Sequence, residues 1–217
     1  ASVIEIPEYL DFVMTASVGK LLYENKVFTN LRGNVSMRDK TLGLNDISLN
    51  TLDGTVSING VYQTKDVKKP FFNLDLGLAA MDIQQTVKTF NTVEKMAPIA
   101  KRANGKYSTQ FVVKGNMDEH MQPVMNSLNG NGKLSTSAVT INNFEPLSKL
   151  ADALKMQQYK QLALNNVNIS FEFKDGRVFI KPFETSLAGT KSKIEGSNGF
   201  DQSIDYNVNL AIPKSML

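Results

Sequence analysis

Apolar and polar residues alternate along most of this chain, and a period of two is the signature of half-buried strands. Val35 and Met37 alternate with Asn34, Ser36 and Arg38. Leu42 and Leu44, Ile47 and Leu49, and Val56 and Ile58 follow, then Phe72, Leu74, Leu76 and Leu78. Later runs are Phe111 and Val113, Val139 and Ile141, every second residue from Val167 to Phe173, Val178 and Ile180, and Ile204 to Ile212. The dipeptides Asp53-Gly54, Asn59-Gly60, Asn131-Gly132, Asp175-Gly176 and Asn198-Gly199 read as turns between them. Short strands with close turns predict hairpins and meanders rather than βαβ units.

Two segments switch to helical spacing. Asp82 is placed to cap a helix over 82–101, with Ile83, Val87, Phe90 and Val93 on one face. Pro98 ends or kinks it. A second helix begins near Asn143, with Pro146 in its first turn and a stripe of Leu147, Leu150, Ala151 and Leu154. A shorter helical piece is predicted over Met121–Leu128. The stripe of the first helix should pack on the apolar face of the sheet, making Phe90 a core residue.

The pattern repeats. Asn34 to Asp39 aligns with Ser170 to Asp175, and Ser57 to Gly60 aligns with Lys193 to Gly196, both at an offset of 136 (175 − 39 and 196 − 60). Leu52-Asp-Gly54 aligns with Leu187-Ala-Gly189. The chain thus reads as one β-rich domain over 1–217. It holds two similar meander units, about 27–79 and 163–212, joined by a helix-containing middle. Repetition along one axis predicts an elongated, curved antiparallel sheet, mainly β in class, with two or three short amphipathic helices on its apolar face.

Composition narrows the partners. A net charge of +3, from 24 basic and 21 acidic residues, makes no nucleic-acid footprint. The basic runs Lys65–Lys69 and Lys101–Lys106 read as a solvated loop and a helix C-terminus. Cysteine is absent, so no disulfide or thiolate chemistry is available. No apolar stretch reaches the length of a membrane-spanning helix. The abrupt beginning and end read as a fragment of a longer protein.

The residue types that carry chemistry are sparse. His120 is the only histidine; with Asp118 and Glu119 it forms a sequence-adjacent trio that converges poorly on one ion. Any Ser-His-acid triad would need the same histidine, and no serine lies in a G-x-S-x-G elbow. The glycine-rich Asn129 to Lys133 precedes a strand-like run, not a helix, and reads as a hairpin turn rather than a phosphate cradle. Phe71, Phe72, Phe171, Phe173, Phe179 and Phe183 fall in strand patterns without interleaved basic residues, which predicts core packing. No enzyme and no cofactor is expected.

One-sided strands in this number create a long apolar face that something must cover. Helices and a second sheet would close it into a core; an uncovered part would form a trough for an apolar ligand. Periodicity does not choose between these. In the first meander the trough wall would be Leu42, Leu44, Val56, Ile58, Leu74 and Leu76. Thr41, Gly43, Asn45, Ser57, Asn59, Asn73 and Asp75 would face water. An aliphatic wall without fixed polar contacts suits acyl chains.

The segments from Val27 to Leu44 and from Leu52 to Gly60 resemble the C-terminal region of AsmA-like proteins. Val167 to Val178, Gly199 to Tyr206, and Phe90 to Ala100 between the two copies are similar again, so the likeness runs from about Val27 to Ile212. The resemblance implies a periplasmic module of a bacterial envelope protein, tethered by an N-terminal inner-membrane helix and linked to outer-membrane assembly. It implies no catalytic motif, and it implies lipid or phospholipid acyl chains along an apolar groove. The alternative expectation is a structural module with a closed core that binds outer-membrane proteins or assembly factors during their assembly.

Overall fold

A computed structural model describes residues 3–23, 26–153 and 155–212. The protein is mainly β, and its strands follow chain order in one antiparallel, unclosed sheet. They are β1 (Phe12–Tyr23), β2 (Lys26–Arg38), β3 (Thr41–Thr51), β4 (Gly54–Gln63), β5 (Phe71–Asp82), β6 (Ala103–Asn116), β7 (Asn129–Asn142), β8 (Gln161–Lys174), β9 (Arg177–Leu187), β10 (Thr190–Gly199) and β11 (Ile204–Leu210). Three short helices lie in the connections: α1 (Ile83–Thr89), α2 (Asn91–Met96) and α3 (Glu145–Ala153).

The chain divides into two compact units. One comprises residues 1–80, 109–132 and 173–176; the other comprises 81–108, 133–172 and 177–217. The first meander copy lies wholly in the first unit, and the second lies mainly in the other. Both copies have the same plan: β2 to β5 and β8 to β11 are four-stranded meanders. Asn30 and Asn166 occupy equivalent places at the repeat offset of 136 (166 − 30), and both adopt left-handed backbone, φ 54° and 52°. An asparagine tolerates that conformation better than a bulky residue.

The second unit has the larger core. Ile83 from α1 and Ala151 from α3 pack with Val139, Ile141, Leu162, Leu164, Val167 and Leu187 of the strands. Short helices therefore cover the apolar face of this sheet segment. The Tyr159 side chain is fully buried, and its hydroxyl donates to Thr190 Oγ1 at 3.0 Å. Asp82 caps α1 as its sequence predicts, accepting from the Gln85 N–H at 2.8 Å.

Several local expectations are corrected. The helix over 82–101 is interrupted at Phe90, whose extended backbone separates α1 from α2, and Pro98–Arg102 forms a 3-10 turn. Thr86, Val87, Thr89, Thr92 and Val93 crowd this segment with β-branched side chains, which disfavour a continuous helix. Phe90 is 40% exposed and is not core. Met121–Leu128 holds only a 3-10 turn, Met125–Ser127. The second helix starts at Glu145, with Leu147 packed on the core; Leu154 and the side chain of Leu150 lie outside the described residues.

Asn59-Gly60 and Asn131-Gly132 are not turns but strand interior, and Asn129–Lys133 is the start of β7 rather than a hairpin. Gly60 and Gly130 hold φ of 140° and 158°, where a Cβ would strike the carbonyl oxygens of Asn73 and Val112. Close approach of the next strand, not chain reversal, is what these glycines permit.

Candidate functional site

Directly opposed residues of antiparallel strands share a face, so the register places each expected wall residue. One row across the first unit runs Phe12, Met37, Leu42, Tyr62, Phe72. The next runs Met14, Val35, Leu44, Gly60, Leu74. Ile47, Ile58 and Leu76 form a third, and Leu49, Val56 and Leu78 a fourth. Leu42, Leu44, Val56, Ile58, Leu74 and Leu76 thus share one continuous apolar face, and no residue of these four rows is charged.

A bulge keeps β3 in phase with this face. The β3–β4 register shifts between Leu44 and Ile47, with Asp46 at φ 52°. The extra residue re-aims the strand so that Ile47 and Leu49, not Asp46 and Ser48, continue the apolar rows. The Asn59 side chain holds the bulge, its Oδ1 accepting from the Asp46 N–H at 2.7 Å.

Burial along the face is uneven. All six expected wall residues are half-buried, whereas Ile47, Leu49, Tyr62 and Phe72 are buried. At the Tyr62 and Phe72 row the N-terminal segment forms a plug. Ile6 is 3% exposed; its N–H donates to the fully buried Thr64 Oγ1 at 2.9 Å, and Tyr62 donates to the Ile4 carbonyl at 3.1 Å. Phe72 and Leu128 converge on Gly115, where a Cβ would meet both. Towards β1 the same face opens, with Phe12 at 37% and Met14 at 49% exposure. Neither the plug nor the open side was foreseen: the alternation Ile4-Glu5-Ile6 is cut short by Pro7 and says nothing of Thr64, and β1 itself carries apolar residues on successive positions.

On the opposite face Asn45, Ser57, Asn59 and Asn73 are exposed as expected. Thr41 and Asp75 are half-buried, and Gly43 is buried because the Ser36 side chain lies over it.

His120 is exposed and sits with Lys68, Lys69, Asn116, Asp118 and Glu119 around a shallow cleft that shares no residue with the apolar rows. Its Nε2 lies 3.5 Å from Glu119. The Asp118 carboxylate instead accepts from the backbone N–H groups of Gln122 and His120, which lower its pKa. Those bonds shape the loop. Among the described residues no three His, Asp or Glu side chains converge as a metal-holding group.

No described helix is long and apolar enough to cross a membrane. In comparisons with known proteins, no family model, no curated protein and no solved structure matches this chain.

Proposed function

We propose that this chain is a non-catalytic binding module that holds lipid acyl chains along the apolar face of β1 to β5. The observation that carries the reading is the run of half-buried, uncharged aliphatic rows holding Leu42, Leu44, Val56, Ile58, Leu74 and Leu76, plugged at one end and open towards β1. Aliphatic side chains without fixed polar partners select for apolar chain rather than for a particular head group. On this proposal the module works in the periplasm, beside an inner-membrane anchor and in support of outer-membrane assembly, as the resemblance of its sequence to AsmA-like proteins implies.

The test is mass spectrometry of lipid carried through purification, on the chain and on Leu44→Asp, Ile58→Asp and Leu74→Asp. A charge in a closed core unfolds the protein, whereas one on an open face leaves it folded. Folded variants that have lost the lipid carried by the parent support the proposal. Variants that all fail to fold, or a parent that carries no lipid, favour the closed-core module that engages envelope proteins through its surface.

A further inference from the structure

The segment before β1 is tied down along its length. The Ile6 N–H donates to Thr64 Oγ1 at 2.9 Å, and that hydroxyl donates back to the Ile6 carbonyl at 3.4 Å. Tyr62, a member of the first apolar row, donates to the Ile4 carbonyl. Further on, Glu8 reaches Lys40 at 3.1 Å, and Asp11 pairs with Arg38 at 2.9 and 3.0 Å. The segment is therefore a strap that crosses the strand ends from β4, past the β2–β3 turn, to the start of β1.

The corner under the strap is dry and its polar groups are matched. Thr64 is fully buried, and Ile6, Tyr62 and Phe72 are buried beside it. Both backbone groups of Ile6, the Ile4 carbonyl and the hydroxyls of Thr64 and Tyr62 are engaged with one another. A head group placed there would lose its water and gain no partner among them, whereas a methyl end gives up nothing. The other end of the face is wet. From Tyr62 through Gly60 and Ile58 to Val56, β4 spans six residues (62 − 56), roughly 20 Å. Next to Val56, Thr55 and Asp53 are exposed. A bilayer's hydrocarbon core is about 30 Å thick, so the chain of one leaflet reaches about 15 Å. A chain of membrane length drawn out along β4 fits between the two ends, and a much longer one does not.

We propose that the strap Ile4–Ile6 is a length stop: the acyl chain lies along the strands with its terminal methyl against Ile6 and its head group in water at the Asp53–Thr55 end. The inference rests on the lipid reading above and adds to it a direction and an upper length.

The test supplies the chain with vesicles holding an equal mixture of saturated lysophosphatidylcholines graded one methylene at a time. The protein is then repurified and the lipid it retains is weighed by mass spectrometry. Below the stop, protein and vesicle gain alike from each methylene, so retention is flat. Past the stop only the vesicle gains, and retention should fall by up to about fourfold per methylene. Ile6→Ala and Thr64→Val should move this cutoff to longer chains. Ile83→Ala, in the core of the other unit, should leave it in place. A parent that retains lipid with no cutoff overturns the stop and leaves the lipid reading standing. So does a cutoff that stays put in the folded strap variants, or one that moves equally in Ile83→Ala. A parent that retains no lipid of any length overturns both. If neither strap variant folds, Ile6→Val trims a single methylene and decides in their place by a shift of one step or none.

Discussion

Gly60 faces the Asn73 carbonyl so closely that a Cβ would collide with it, and Gly196 stands in the same relation to Asp205. The two glycines are one position of the repeat, and both hold φ in the range that side chains avoid, 140° and 157°. Gly60→Ala and Gly196→Ala should each cost about 1–3 kcal/mol from backbone strain alone, with the collision adding to it. Urea unfolding of the two variants checks this, and a loss near zero in either would mean the strands separate freely there.

Ile83 and Phe90 belong to the same helical stripe in the sequence but differ in the fold. Ile83 is 9% exposed in the core and Phe90 is 40% exposed at the break between α1 and α2. Ile83→Ala should cost about 2–5 kcal/mol. Phe90→Ala should cost about 1 kcal/mol or less, as surface substitutions do. The difference in denaturant midpoint between the two variants is the measurement.

The Tyr159 hydroxyl donates to Thr190 Oγ1 at 3.0 Å, and both side chains are almost fully buried. Tyr159→Phe keeps the ring and leaves the Thr190 hydroxyl without that donor, at a cost of about 1–3 kcal/mol. Thermal unfolding should show the loss with no change in the circular dichroism of the folded state.

Burial raises the pKa of the Tyr107 hydroxyl, opposed by its hydrogen bond to Thr86. The folded state therefore keeps this proton to higher pH than the unfolded chain. Its contribution is fully present below about pH 10, the ordinary tyrosine value, and is lost as pH rises towards the folded value. Tyr107→Phe should flatten the fall of stability above that pH. Equal alkaline slopes for parent and variant would assign the fall to other groups, Tyr62 and Tyr206 among them, whose pKa values burial also raises.

Strand class, meander order and the shared face of Leu42, Leu44, Val56, Ile58, Leu74 and Leu76 are legible in the sequence because each rests on a local period of two. What escapes is set by distant partners. Gly60 looks like a turn because its need for a bare α-carbon comes from Asn73 on the next strand. Strand β1 breaks its own alternation: Phe12, Val13 and Met14 are consecutive apolar residues, as are Leu21 and Leu22. Ile6 is buried by a single hydrogen-bonded crossing over Thr64, which no periodicity records. The helix from Asp82 keeps its cap but not its length, since a 3.6-residue stripe says where side chains would meet and not whether the backbone holds.

The order of the strands in the sheet is also their order in the chain. Each strand's hydrogen-bonding neighbours are the strands next to it along the polypeptide, so no ladder waits for a remote segment. Sheets that demand distant pairings fold slowly because loop closure precedes any gain. Here the longest closures are the helix-bearing connections between β5 and β6 and between β7 and β8. A ribosome releasing this chain from its N-terminus would hand over each new strand with its predecessor already laid down, and the sheet can grow as fast as it is read.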